Sequence, residues 1–175
     1  MRPKLFLVCP FSGIENFIRN RYGEDVFFLT SMGAVFQFQE KEYLQIVKEF
    51  IDRENIAEIF IVSDTSCRFI NNALKHRLGY DSYSETVIQT LLKRNYTDVM
   101  KKESMAEQQI KLARLIINHQ ANEIMKHNLF EHQIIENKIL IKGLITIKEI
   151  NHVVELTFNT RRSINGISNF NFQSN

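Results

Sequence analysis

Apolar residues along this chain fall into two alternating patterns. Leu5-Phe6-Leu7-Val8, Val26-Phe27-Phe28-Leu29 and Ile59-Phe60-Ile61-Val62 are short continuous runs bounded by polar or turn-forming residues. Such runs predict strands buried on both faces of a parallel sheet. Between them the period lengthens. Over 40–53, Tyr43, Leu44, Ile46, Val47, Phe50 and Ile51 recur at helical spacing. Ser12-Gly13-Ile14-Glu15 has the form of a capping box and predicts a helix running to about residue 21. Segments 85–95 and 104–127 also read as helices. Ile139-Leu140-Ile141, Leu144-Ile145-Thr146-Ile147 and Val153-Val154-Glu155-Leu156 predict closing strands, the last two paired as a hairpin around 149–152.

Strands alternating with helices predict an α/β domain, a mostly parallel sheet flanked by helices, over residues 1–158. The remainder, 159–175, is rich in Asn and Ser and reads as a C-terminal extension. In such sheets ligands bind beyond the carboxyl ends of the strands, where connections diverge. Cys9 directly follows the first strand, and Asp64 and Cys67 directly follow the third. If those strands are neighbours, two thiols and a carboxylate converge there. Cys9, Asp64 and Cys67 are chemically sensible zinc ligands, and three protein ligands plus water describe a catalytic type of site. The same residue types also have plain structural uses. A buried cysteine behaves as a small hydrophobe, and an Asp before Thr-Ser caps a helix or turn.

Composition narrows the field. A net charge of +2 over 175 residues, with no Lys/Arg block, argues against a nucleic-acid surface. The first apolar run is too short for a signal-peptide core or a membrane span, so a cytoplasmic protein with no membrane partner is expected. Two cysteines form no disulfide framework, and free thiols fit that compartment. The histidines, His76, His119, His127, His132 and His152, fall at no strand end near the crevice. Ser12 lacks a Gly-x-Ser-x-Gly elbow and a histidine to activate it, so it reads as a helix cap. One glycine in residues 9–13 is too few for a dinucleotide loop.

Three segments carry a resemblance. Cys9-Pro10-Phe11-Ser12-Gly13 resembles the opening Cys-x-Asp-Ser-Arg motif of the β-class carbonic anhydrases. Glu24-Asp25-Val26-Phe27-Phe28-Leu29-Thr30-Ser31-Met32-Gly33 is similar to that family's Gly-Asp-x-Phe-x-x-Arg-Asn-Ala-Gly stretch. The segment from Ile59 to Cys67 resembles the one ending in Gly-His-Thr-x-Cys-Gly. The order and spacing match from Leu5 to Leu156. The resemblance implies the β-carbonic anhydrase fold and a zinc site whose two cysteines are Cys9 and Cys67, with Asp64 where the family has histidine. Two thiolates and a carboxylate would leave that site formally negative and the metal a weaker Lewis acid.

The sequence also departs from the family's pattern. Phe11 and Gly13 stand where an Asp/Arg pair orients the zinc-bound water. Thr30 replaces an arginine and Arg68 a glycine, while Ser12, Thr65 and Gly33 match. The resemblance therefore implies a degenerate, non-catalytic or weakly active member, kept as an anion-binding or regulatory module. Ser12, Thr65, Ser66 and Arg68 would hold an anion such as bicarbonate at the helix starts. The alternative is a zinc-dependent carbonic anhydrase performing reversible CO₂ hydration with an unusual Cys-Asp-Cys site. A redox role for the two thiols is a third reading. The family also implies a homodimer, although the helical arm that wraps the partner subunit has no counterpart ahead of Leu5.

Overall fold

The structure, a computed structural model, describes residues 3–77, 79–101, 103–126 and 139–158. Five strands form one sheet: β1 (Lys4–Val8), β2 (Val26–Thr30), β3 (Glu58–Asp64), β4 (Leu140–Ile147) and β5 (His152–Thr157). Their order is β2-β1-β3-β4-β5, with every pairing parallel except the β4–β5 hairpin. β1 and β3 are therefore neighbours at the centre. The flanking helices are α1 (Glu15–Tyr22), α2 (Lys41–Arg53), α3 (Arg68–Leu74), α4 (Tyr83–Arg94), α5 (Tyr96–Met100) and α6 (Met105–Lys126).

The unbroken apolar runs are explained by cores on both faces. Alternate strand residues point to opposite sides. Leu5, Leu7, Ile59 and Ile61 meet Leu112, Ile116 and Ile117 of α6 in the larger core. Phe6, Val8, Phe60 and Val62 meet Ile14 and Ile18, around α1, in the smaller one. The rings of Phe6 and Phe60 stack at 4.7 Å between centroids. Among the described residues no helix is long and apolar enough to cross a membrane.

Three local expectations change. Ser12 does not cap α1; it closes a 3₁₀ turn over Pro10–Ser12, and Ile14 precedes the helix with no side-chain cap. The two apolar runs around Lys142-Gly143 form one strand, β4, because glycine is what the packing needs there. A Cβ at Gly143 would lie 2.6 Å from Ile117 Cγ2 and 3.1 Å from Leu156 Cβ, so its absence lets α6 and β5 approach. β3 runs two residues further than its apolar core, which takes Ser63 and Asp64 into the sheet, both buried. The expected C-terminal extension, and His127 and His132, lie outside the described residues.

Candidate functional site

Three chain segments meet beyond the carboxyl ends of β1, β2 and β3. After β1 the chain turns tightly: Ser12 Oγ donates to the Cys9 carbonyl at 2.6 Å, and Gly13 takes the left-handed conformation that ends the turn. After β2, the Ser31 N–H bonds back to Val8 O at 3.1 Å. A second 3₁₀ turn follows, over Met32–Ala34, with Gly33 at φ +63°. A Cβ on Gly33 would sit 2.7 Å from Ile88 Cδ1. This close approach aims the Gly33 N–H at Cys9 Sγ, 3.2 Å away.

After β3, Asp64 organises the turn to α3. Its Oδ1 accepts from the Ser66 N–H at 2.9 Å and from the Ser66 hydroxyl, and its Oδ2 accepts from Thr146 Oγ1 at 2.7 Å. The Thr65 N–H and hydroxyl both donate to Thr146 O, at 3.0 and 3.3 Å. The Cys67 N–H donates to Asp64 O at 3.0 Å, which sets Cys67 at the start of α3.

These turns set the two thiols near each other, each 3% exposed. The neighbouring Cys67 thiol, with the N–H groups of Phe11, Gly33 and Ala34, lowers Cys9 to about 7 against the opposing effect of burial. The nearby Cys9 sulfur, together with burial, pushes Cys67 up.

Asp64 does not complete a metal site in this arrangement. Although only 2% exposed, it spends both oxygens on Ser66 and Thr146. Among the described residues no group of three or more His, Cys, Asp or Glu side chains is arranged to hold a metal ion. Two thiols and a carboxylate held by Ser66 and Thr146 do not fit an open zinc centre, which needs three protein donors directed at one point.

The four residues expected around an anion are also engaged. Ser12, Thr65 and Ser66 donate to Cys9 O, Thr146 O and Asp64, and the Ser66 N–H goes to the same carboxylate. Arg68 is exposed; it stands beside Tyr80 and lies with Cζ 6.0 Å from the Phe11 ring centroid. Phe11 stacks on Tyr80 at 5.7 Å and meets Phe69 at 6.0 Å, while Phe69 and Tyr80 stack at 4.8 Å. An aromatic cap thus stands where the resemblance implies an Asp/Arg pair. Phe11, at its outer edge, is 46% exposed.

Sequence reasoning missed what holds these groups. Thr146 was read only as part of a strand, though a lone hydroxyl in a doubly buried run signals a buried partner. Glu85 was read only as the start of a helix. Its carboxylate accepts from the N–H groups of Gly79, Tyr80 and Asp81, and its own N–H bonds to Ser82 Oγ. The spacing Ser82-x-x-Glu85 carried that capping signal. Through this loop Glu85 sets the position of Tyr80.

No family model and no curated protein matches the sequence. Solved structures do. A β-carbonic anhydrase of Sordaria macrospora superposes with a TM-score of 0.73 at 16% identity, over 89% of this chain and 81% of that one. The β-carbonic anhydrase CafA of Aspergillus fumigatus gives 0.75 at 18% identity, over 89% and 76%. A Coccomyxa β-carbonic anhydrase, solved with acetazolamide, gives 0.68 at 13% identity, over 90% and 75%. The chain has the fold of the β-class carbonic anhydrases.

Proposed function

We propose that this protein is a β-carbonic anhydrase-like module that does not sustain ordinary CO₂ hydration and serves in binding or regulation. One observation carries this reading. Phe11 replaces the family's water-orienting Asp with a ring stacked on Tyr80 and tilted against Phe69, and offers no hydrogen bond to a reacting water. The engagement of Asp64 by Ser66 and Thr146 supports it from the metal side. Of the anion-holding groups, only Arg68 presents an exposed charge. Bicarbonate is therefore expected to bind no more tightly than a lone surface arginine holds it.

The test is zinc content per chain, on protein purified without chelator or a histidine-rich tag, followed by CO₂ hydration measured by stopped flow. The proposal expects zinc well below one per chain and hydration at the buffer rate. Turnover above buffer that disappears in Cys67→Ala would overturn it.

A second reading rests on the meeting of the two thiols. It makes the protein a zinc-dependent carbonic anhydrase using Cys9, Asp64 and Cys67. It requires Asp64 to leave Thr146 and Ser66, and it expects one zinc per chain from the same measurement.

A further inference from the structure

We propose that a cavity beside α4 binds a small aromatic anion, a planar ring bearing a carboxylate or a phosphate. The cavity measures about 990 Å³, and small-molecule sites are commonly about 300–1,000 Å³. One wall is a stripe of α4 side chains, Thr86, Gln89, Thr90 and Lys93. Their three- and four-residue spacing puts them on one helix face. The rest comes from the 76–81 loop and from Tyr96, the first residue of α5. Cys9, Asp64 and Cys67 do not line it. Tyr80 does, and its ring also stacks on Phe11 and Phe69.

The walls are fixed by the fold itself. The N–H groups of Gly79, Tyr80 and Asp81 are tied to the Glu85 carboxylate at 2.8, 3.0 and 2.9 Å. Thr86 and Thr90 donate their hydroxyl protons to Ser82 O at 3.2 Å and Thr86 O at 2.8 Å, which leaves their oxygens as acceptors. His76 ends α3 in the left-handed region, at φ +52°. Its N–H bonds to Ala73 O at 3.1 Å and the Arg77 N–H to Asn72 O at 2.8 Å, the paired bonds of a Schellman cap. Glycine is the residue such a position favours. Here the backbone carries an imidazole instead, and that ring meets Tyr96 with centroids 6.2 Å apart.

The chemistry of the walls selects the ligand. The His76–Tyr96 pair offers ring surface for stacking. Lys93, exposed in the last turn of α4, has no ion pair or hydrogen bond among the described residues. Gln89, half-buried one turn earlier, has no side-chain partner among them either, and its amide can both donate and accept. Lys75, Arg77 and Arg94, all exposed, flank His76 and Lys93 in sequence, so the surroundings are basic. The lining carboxylates belong to the other end of α4: Glu85 is in its first turn and Asp81 precedes it. At 1.5 Å per residue, Lys93 is about 12 Å along the axis from Glu85, beyond a screening length of about 8 Å. An anionic group at Lys93 is therefore attracted without matching repulsion. A ring on His76 and Tyr96, its acid group at Lys93 and a ring N–H at Gln89 or Thr90 is the arrangement these groups accept.

The experiment titrates the full chain, labelled with nitrogen-15, with indole-3-acetate and separately with adenosine monophosphate, followed by NMR. Indole and adenosine are the uncharged controls; acetate and inorganic phosphate are the ringless ones. Saturable shifts of the Gln89 side-chain amide and the Tyr96 backbone are expected with at least one acid, half-complete near about 1 mM. The tighter of the two tells a carboxylate ligand from a phosphate. Lys93→Gln, at an exposed position, should weaken the acid about fivefold and leave its uncharged control unchanged. His76→Gly should weaken both while the urea midpoint holds or rises, because glycine relieves the left-handed backbone. A histidine that served only the cap would not move binding. Acetate or phosphate binding as tightly as the matching aromatic acid would overturn the ring-binding site. So would the absence of saturable shifts with either acid at about ten times that concentration, or shifts that both variants leave unchanged.

Discussion

Thr146→Val tests the contact that keeps Asp64 from the thiols. Valine has the β-branched shape of threonine and suits the strand, so the change removes one hydroxyl and little else. Thr146 is fully buried, and its hydroxyl donates to Asp64 Oδ2 at 2.7 Å. Leaving a buried acceptor without its partner costs about 1–3 kcal/mol. The methyl that replaces the hydroxyl returns at most about 0.8 kcal/mol. The net loss is about 1–2 kcal/mol. With a urea m-value of about 2–3 kcal/mol/M for a chain of this size, the midpoint should fall by about 0.5 M with an unchanged slope. Asp64→Asn completes a double-mutant cycle. In the Asn background Thr146→Val should cost less, giving a coupling of about 1 kcal/mol. An unchanged midpoint, or two strictly additive losses, would refute the reasoning, because Asp64 would then not depend on Thr146 for its place.

Other elements make their own predictions. Gly143→Ala drives a methyl against Ile117 and Leu156 and should destabilise the chain by about 1–3 kcal/mol, read by urea denaturation. Glu85→Ala removes the acceptor for three backbone N–H groups of the 79–81 loop and should speed proteolytic cleavage in that loop. In Glu85→Gln the acid limb of stability should flatten. The N–H groups of Tyr80, Gly79 and Asp81 hold this carboxyl below its usual value, so its contribution is full above about pH 4.5 and is lost as pH falls through the lower folded value. His119 acts in the same direction at higher pH: burial lowers its pKa, so the unfolded chain takes up the proton first. Stability should fall as pH drops below about 6.5, and His119→Gln should remove that slope in pH-dependent thermal melts.

The fold was legible because its signals are local and repeated. Four-residue apolar runs such as Leu5–Val8 can be satisfied only between two cores, and that alone implies helices on both faces of a parallel sheet. The boundaries that moved did so where tertiary contact overrode the local pattern. Gly143 looked like an interruption of two strands, but it is the point where α6 and β5 close on one. Ser12 had the spacing of a cap, yet its hydroxyl found the nearer Cys9 carbonyl. At the site, the meeting of Cys9 and Cys67 followed from their positions at the ends of adjacent strands. The engagement of Asp64 did not follow. Its partner Thr146 lies 82 residues away, and no local pattern links the two.

The departures from the family's motifs are coupled through shared partners. Asp64 is held by Ser66 and Thr146, and Thr146 also accepts from Thr65. Phe11 and Arg68 both rest on Tyr80, which Glu85 holds from the loop's other side. Two residues leaning on one ring form a unit. Groups that share a partner are not additive on substitution. Placing an Asp at position 11 alone would remove two ring contacts and leave Asp64 bound to Thr146, so it would lose packing without freeing Asp64. Asp64→His alone would leave the Phe11 ring against Tyr80, with no side chain at position 11 to orient a water. Neither single substitution should raise CO₂ hydration above the buffer rate, and activity gained by either one would show that the two halves of the crevice are independent.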